Sequence, residues 1–210
     1  MTRLLVVRHG EAEGNREHRF IGQTDVPLTE LGSQQVARLT QRLAGVEISR
    51  VVSSDLRRAA DTVIPTAEAL GLEVHYDERL REIANGEWAN LVAADVEARW
   101  PDLWSRYRQG EDVERPGGES WTDVQVRAVQ AIEELVAALD KDDTVLVGTH
   151  AGPALGILRW AIGAPPEGTV WGLPFGALHN TSISTISLPG PRLHTLNDTG
   201  HLEGSEGLFV

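Results

Sequence analysis

Short apolar runs that alternate with helical segments constrain the fold of this chain most strongly. Residues 4–7 are apolar and end abruptly at Arg8-His9-Gly10, which predicts a buried strand followed by a loop. Alternating strands and helices predict an α/β fold, with a three-layer α/β/α arrangement around a mostly parallel sheet. Further strands are predicted at residues 50–53, 73–76 and 143–148, and helices at residues 31–43, 55–70, 121–139 and 152–162.

Local signals mark the ends of several of these segments. Thr29 is the predicted N-cap of the first helix, which Gly45 terminates. Pro65 is expected to kink or divide the second helix, which ends at Gly71. Near the end of the chain, residues 182–188 and 192–196 alternate like two strands around the turn at residues 189–191.

Length and composition favour one domain. The 210 residues, 41% of them hydrophobic, suffice for one good core, so a single domain is predicted over residues 1–210. Residues 80–118 have no clear single period and are rich in Trp, Arg and Glu, which predicts short helices and loops. We expect this segment to form a small cap, at about residues 80–120, over the main body.

Composition also argues against several functions. The chain has no cysteine, which excludes disulfides, thiolate metal sites and cysteine nucleophiles. The net charge of −12 argues against nucleic acid as a partner, because nucleic-acid binding needs a basic surface. No stretch approaches the roughly 20 apolar residues that cross a membrane, and nothing resembles a signal peptide. We therefore expect a cytoplasmic protein without a membrane partner.

Three strand ends carry residues suited to bind an anion. In open α/β sheets, ligands bind beyond the carboxyl ends of the strands. Arg8 and His9 follow the first strand, Arg58 lies one turn into the helix after the second, and His150 follows strand 143–148. A phosphoryl group carries about two negative charges and is best bound by planar bidentate donors, so Arg8 and Arg58 are predicted phosphate ligands. His150 adds a donor at the start of the next helix.

Histidine chemistry follows from the residues that are present. Without cysteine or a recognisable metal motif, His9 is the predicted nucleophile toward phosphorus. Its attacking nitrogen must be neutral, a backbone carbonyl would fix this tautomer, and Gly10 allows the close approach required. An alkoxide leaving group also needs a general acid. We predict Glu82 for that role, because it lies in the cover segment and a nearby phosphate favours a protonated carboxyl.

Each of these residues has an ordinary structural interpretation when it is taken alone. A His-Gly pair after a strand is usually a turn, and Arg58 beside another arginine is typical of a solvated helix face. A histidine such as His150 is often part of a core, and Glu82 alone would be a surface carboxylate. Their joint occurrence at three strand ends and in the cover segment favours a catalytic site.

Ordered motifs along nearly the whole chain resemble those of the histidine phosphatase superfamily, also called the phosphoglycerate mutase-like family. The RHG motif alone would be weak evidence for this family, but the ordered set of motifs is very specific to it. The early motifs are RHGE at residues 8–11, Asn15, RF-x-GQ at residues 19–23 and LTELG at residues 28–32. The later motifs are SSDLRRAADT (53–62), LREIANGEW (80–88), PGGES (116–120), THAG (149–152), HNTSIS (179–184) and LNDTGHL (196–202).

The resemblance implies a phosphoglycerate mutase-like fold and a phosphohistidine intermediate at His9. It implies phosphate contacts from Arg8, Arg58 and His150, and proton transfer by Glu82. It implies no metal and no organic cofactor, and a small phosphorylated metabolite as the partner. Four further residues match positions that line the family's substrate pocket: Asn15, Gly22, Gln23 and Asn180.

The chain departs from the family pattern at three places. Ala151 replaces a glycine after His150, and we expect a small effect because alanine fits helical geometry. Residues 83–88 replace a more acidic and aromatic version beside Glu82, which concerns substrate choice rather than phosphoryl chemistry. His179 is either a substrate ligand or a surface histidine.

A phosphatase and a mutase both begin with phosphoryl transfer to His9. A mutase must retain a doubly charged phosphoacid, and the family's mutase pattern of a lysine followed by paired arginines is missing here. We therefore favour a metal-independent phosphomonoester hydrolase of the histidine acid phosphatase type. The alternatives are a cofactor-dependent phosphoglycerate mutase-type phosphotransferase and a non-catalytic phosphate-binding or scaffold protein. The basic residues of the cover segment are Arg81, Arg99, Arg106, Arg108 and Arg115.

Four tryptophans concentrate in the same segment: Trp88, Trp100, Trp104 and Trp121. They either pack a small cap or form an apolar or sugar-stacking wall for the leaving group. The oligomeric state is open between a monomer and a homodimer, in which strands near the C-terminus would pair between subunits.

Overall fold

The computed structural model describes residues 1–165 and 177–204, whose strands form one six-stranded sheet. The strands are β1 (Arg3–Arg8), β2 (Arg50–Ser53), β3 (Val74–Tyr76), β4 (Thr144–Thr149), β5 (Ile183–Ser187) and β6 (Arg192–Asp198). The order across the sheet is β3-β2-β4-β1-β5-β6, in which the first four strands run parallel and the last two pairings are antiparallel. The parallel part contains the strands that precede the predicted catalytic residues.

The helices of the described residues lie close to their predicted positions. Thr29 caps the first helix by accepting a hydrogen bond from the Gly32 N–H, and Gly71 ends the second in the left-handed conformation. The second helix continues through Pro65, so the predicted division is wrong. Pro65 has no N–H to donate to the Asp61 carbonyl. Both residues are only half-buried, so water can hydrate that carbonyl instead. The helices are α1 (Glu30–Leu43), α2 (Arg57–Leu70), α3 (Ala93–Arg99), α4 (Pro101–Arg108), α5 (Trp121–Ala137) and α6 (Ala151–Ala161).

Hydrophobic side chains from both faces of the sheet form two core clusters. Leu4 and Val6 of β1 pack in the cluster that includes α5 and α6 residues, whereas Leu5 and Val7 pack in the cluster that includes α1 and α2 residues. Strand residues alternate between faces, so a strand covered on both sides is apolar throughout. This arrangement confirms the α/β class and the α/β/α layers, and it accounts for the uninterrupted apolar run of β1.

The cover segment forms a cap with its own small core, as predicted. It comprises 3₁₀ turns at Glu78–Leu80 and Gly86–Trp88, followed by α3 and α4. Trp88 is fully buried there, and Phe20 from the loop after β1 packs edge-on against it. Trp100 and Trp104 pack against the same cluster, so three of the four cap tryptophans belong to this small core.

Two further findings concern the chain as a whole. Among the described residues, no helix is both long and apolar enough to span a bilayer. The predicted single domain over residues 1–210 includes residues 166–176 and 205–210, which lie outside the described part, and the domain assignment stays a prediction.

Candidate active site

The parallel sheet brings three predicted site residues together. β1 and β4 are neighbours with Arg8 opposite Thr149, so His9 and His150 leave adjacent strands at the same level. Their ring centroids are 5.1 Å apart. Arg58 lies in the first turn of α2, and its Nε donates to His9 Nε2 at 3.3 Å. The strand ends therefore converge as the sequence predicts.

The tautomer of His9 is set by the backbone carbonyl of the next residue, Gly10. Nδ1–H donates to the Gly10 carbonyl at 2.6 Å, which leaves a lone pair on Nε2. Burial, reinforced by the charges of Arg58 and Arg8, holds the pKa of His9 well below its ordinary value of 6.5. His9 is therefore neutral near pH 7, and the electron pair on its unprotonated Nε2 accepts the hydrogen bond from Arg58. This is the state that a nucleophile requires.

Several contacts hold the His9 main chain. Its N–H donates to the Thr149 carbonyl at 2.9 Å, and its carbonyl accepts from Asn180 Nδ2 at 2.8 Å. The Gly10 N–H donates to Thr62 Oγ1 at 2.9 Å, and that hydroxyl donates to the Arg58 carbonyl at 2.7 Å. The backbones of His9-Gly10 and Arg58 are thus coupled through the Thr62 hydroxyl.

Two guanidinium groups border the space in front of His9. Arg58 is buried, and its two terminal nitrogens donate to the carbonyls of Thr24 (2.9 Å) and Gly22 (2.7 Å). Arg8 donates to the Leu178 carbonyl, and its buried Nε has no hydrogen-bond partner. Within the described residues, neither forms an ion pair with a carboxylate. Two cations held by neutral carbonyls leave a net positive site suited to an anion.

His150 lies next to His9, with the two rings tilted by 60° relative to each other. It is the N-cap residue of α6 and is fully buried. Its Nε2 is 2.9 Å from Ser54 Oγ, and its Nδ1 has no hydrogen-bond partner among the described residues. Burial, followed by the charge of Arg58, holds the pKa of His150 well below 6.5, so this ring is also neutral near pH 7.

Glu82 faces the same cavity from the cap. Its carboxylate accepts hydrogen bonds from the Gly152 N–H, at 3.2 and 3.3 Å, and from the Ile83 N–H, at 2.9 Å. Gly152 lies in the first turn of α6, and a Cβ at that position would be 2.3 Å from Glu82 Oε1. A side chain at residue 152 would therefore displace the Glu82 carboxylate. Ala151 fits the first position of α6 without disturbing the helix.

The remaining predicted site residues fall into two groups. Asn15 and Gly22 line the cavity. Gln23 donates to the Glu82 carbonyl at 3.1 Å, and Asn180 donates to that of His9, so both hold the backbone of predicted catalytic residues. His179 is half-buried, and its N–H donates to Asn197 Oδ1. Roles in substrate binding stay predictions for all of them.

The cavity of about 220 Å³ also contains residues that sequence reasoning did not assign to the site. Arg115 and Tyr107 come from the cap. Trp121, one of the four tryptophans for which a wall for the leaving group was an alternative, also lines the cavity, from the first turn of α5. Arg19 and Phe20 come from the loop after β1. The motif PGGES follows Arg115 directly and was the available signal, but nothing local shows that this side chain turns inward. In the described part of the chain, no group of three or more His, Asp or Glu side chains could hold a metal ion.

Comparison with known proteins identifies the family. Residues 4–199 match the model of the histidine phosphatase superfamily (branch 1). This chain therefore belongs to the histidine phosphatase superfamily.

Curated relatives include several enzymes. The chain is 36% identical over 203 residues to a bifunctional protein of Mycobacterium tuberculosis, with 96% of this chain and 55% of that protein covered. It thus spans about half the length of the first relatives it matches. Glucosyl-3-phosphoglycerate phosphatase of M. tuberculosis is 37% identical over 157 residues, covering 71% and 70% of the two chains. Phosphoserine phosphatase 1 of Hydrogenobacter thermophilus is 33% identical, covering 96% and 95%. A probable phosphoglycerate mutase of Salmonella choleraesuis is 32% identical, covering 97% and 96%.

A solved structure agrees with the fold. The structure of mycobacterial glucosyl-3-phosphoglycerate phosphatase with VO3 superimposes with a TM-score of 0.82 at 32% identity. The match covers 94% of this chain and 99% of that one. The phosphoglycerate mutase-like fold predicted from the sequence is thereby confirmed.

Proposed function

We propose that this protein is a phosphomonoesterase that acts on a small phosphorylated metabolite through a phosphohistidine intermediate at His9. The observation that carries the proposal is the state of His9. Its ring is neutral, its Nδ1–H is bound to the Gly10 carbonyl, and its Nε2 faces Arg58 in a positively charged cavity. A neutral imidazole with one unprotonated nitrogen can attack phosphorus without losing a proton.

The first half-reaction transfers the phosphoryl group to the protein. His9 Nε2 forms a bond to phosphorus as the ester P–O bond breaks, and Glu82 gives a proton to the departing oxygen. Arg8 and Arg58 stabilise the negative charge on the non-bridging oxygens, and His150 supplies a further hydrogen bond there. In the second half-reaction, Glu82 takes a proton from a water molecule that attacks phosphorus. The P–N bond breaks, and inorganic phosphate leaves.

One observation supports a hydrolase over a mutase, and a second supports a small substrate. Among the five cap arginines, only Arg115 lines the cavity within the described residues, and Arg81 and Arg106 are paired with carboxylates. The cavity of about 220 Å³ is smaller than the roughly 300–1,000 Å³ of sites for drug-sized ligands. Relatives named for glucosyl-3-phosphoglycerate and phosphoserine also support a small phosphate ester as the substrate. The cytoplasmic location and the homodimer stay predictions.

The direct test is turnover of p-nitrophenyl phosphate with a chelator present, together with trapping of the phosphoenzyme. We expect metal-independent turnover, and an acid-labile phosphoryl group on His9 after rapid quenching. His9→Ala should abolish both, whereas His75→Ala, which changes an exposed histidine of β3, should change neither. Equal turnover by wild type and His9→Ala would exclude His9 as the nucleophile, and loss of activity with chelator would exclude the metal-independent mechanism. Interconversion of phosphoglycerates at a rate above hydrolysis would favour the mutase.

A further inference from the structure

Arg115 is a further buried cation in the cavity, in addition to Arg8 and Arg58 at His9. It precedes the PGG turn of the cap, is 1% exposed and lines the same cavity as His9 and Glu82. Its Nη1 donates to the Glu119 carbonyl at 3.0 Å, and its buried Nε has no hydrogen-bond partner. Within the described residues, no carboxylate oxygen lies within 4.0 Å of it. Its charge therefore has no anionic partner in the part of the chain that the structure describes.

Aromatic rings surround the Arg115 guanidinium on several sides. The ring centroid of Trp121 lies 4.8 Å from its central carbon, and those of Trp88 and Tyr107 lie 5.6 Å away. Such contacts fix the orientation of the guanidinium and offset part of the cost of burying its charge. They do not neutralise it. Arginine stays protonated at neutral pH even where burial lowers its pKa, as it does here.

We infer that Arg115 binds a carboxylate on the leaving group, so that the preferred substrates are phosphate esters that also carry a carboxylate. The inference rests on the proposed function. A buried guanidinium whose charge has no anionic partner is costly to keep, and its planar fork matches a carboxylate. His9 and Arg115 line the same small cavity, so one small molecule can place its phosphate at His9 and its carboxylate at Arg115. Arg19 also lines the cavity but is exposed, so solvent screens its charge.

Matched substrate pairs test this role. O-phosphoserine and O-phosphoethanolamine differ only in the carboxylate, and 3-phosphoglycerate and glycerol 3-phosphate differ in a carboxylate against a hydroxymethyl group. Because a charge-assisted hydrogen bond supplies roughly a tenfold to hundredfold preference, wild type should favour the carboxylate member of each pair by that factor in kcat/KM. Arg115→Met should remove the preference and leave kcat/KM for the carboxylate-free member within about threefold of the wild-type value. Arg115→Lys should keep part of it.

Arg108→Met is the matched control, because Arg108 also stacks on a cap tryptophan, Trp104 at 5.9 Å, but is exposed and does not line the cavity. It should retain the wild-type preference. An equal loss on both members of a pair in Arg115→Met would overturn the inference in favour of a purely structural role. A selective loss in Arg19→Met instead would overturn it in favour of Arg19. Selective loss on a bisphosphorylated substrate alone would mean that Arg115 binds a second phosphate.

A second measurement needs no variant. Phosphonopropionate and propylphosphonate are non-hydrolysable and differ in the carboxylate, and the former should inhibit wild type at least tenfold more strongly. Equal inhibition constants would overturn the inference even if Arg115→Met did not fold. The proposed function is tested separately by p-nitrophenyl phosphate. Turnover of that ester without discrimination within the pairs would leave the phosphatase intact and remove only the role of Arg115.

Discussion

Arg127 of α5 organises the segment that carries Glu82, and its removal should impair the proton donor without affecting phosphate binding. Its Nη1 donates to the carbonyls of Arg79 (2.7 Å) and Arg81 (2.6 Å), and its Nη2 donates to the Glu82 carbonyl at 2.9 Å. Nε and Nη2 also pair with the Glu119 carboxylate at 2.7 and 2.9 Å. Within the described residues, none of His9, Arg8 and Arg58 is hydrogen-bonded to this network.

The magnitude follows from these contacts. Hydrogen bonds to charged groups contribute about 1.5–3 kcal/mol each, but the released carbonyls can be hydrated in part. The Arg127 and Glu119 side chains are 17% and 22% exposed, so Arg127→Met should lower the free energy of unfolding by about 2–4 kcal/mol. A displacement of Glu82 by about 1 Å would cost up to roughly a hundredfold in rate. We therefore expect kcat/KM for an alkyl phosphate to fall tenfold to a hundredfold.

Two substrates separate a misplaced acid from a damaged protein. An alkoxide needs a proton to leave, whereas p-nitrophenolate leaves without one, so Arg127→Met should reduce kcat/KM for p-nitrophenyl phosphate by less than threefold. The inhibition constant of inorganic phosphate should be unchanged. Arg106→Met, which breaks the exposed pair with Glu111 on the cap surface, is the control and should behave as wild type. Equal losses on both substrates, or a weaker affinity for phosphate, would refute the reasoning.

Two further predictions concern the site. Burial holds the folded-state pKa of His9 and His150 well below 6.5, so below that pH the unfolded chain binds more protons. The free energy of unfolding should fall with decreasing pH by up to about 1.4 kcal/mol per pH unit for each histidine, and His9→Gln should show a correspondingly smaller slope in urea unfolding at several pH values. Equal slopes would contradict the assigned neutral state. Gly152→Ala places a Cβ 2.3 Å from Glu82 Oε1 and should displace that carboxylate, lowering kcat/KM for alkyl phosphates at least tenfold. Ala151→Gly is its control, and normal activity of Gly152→Ala would show that the carboxylate has room elsewhere.

Local patterns in the sequence sufficed for the elements and for the central residues of the site. The uninterrupted apolar run of β1, the Thr29 cap and the glycine after α2 depend on neighbours within a few residues. In a parallel sheet, residues that follow strand ends must meet at one edge, so His9 and His150 were predictable as neighbours before any coordinates were known. The predicted division at Pro65 was wrong, because the surroundings of a helix, rather than its sequence, decide whether a lost hydrogen bond is tolerated. The alternative, a kink at Pro65, stays a prediction.

Only the tertiary structure decided what the long-range contacts do. Asn180 fits a substrate-binding position by motif, yet its side chain holds the His9 carbonyl across 171 residues of chain. Gln23 holds the Glu82 carbonyl in the same way, and Arg127 supports that loop from a helix 45 residues away. Arg115 is one of five cap arginines by sequence, and only its burial among aromatic rings sets it apart. The sequence determined which residues follow each strand because that order is local. The partners of each side chain depend on how distant segments pack, which only the folded chain specifies.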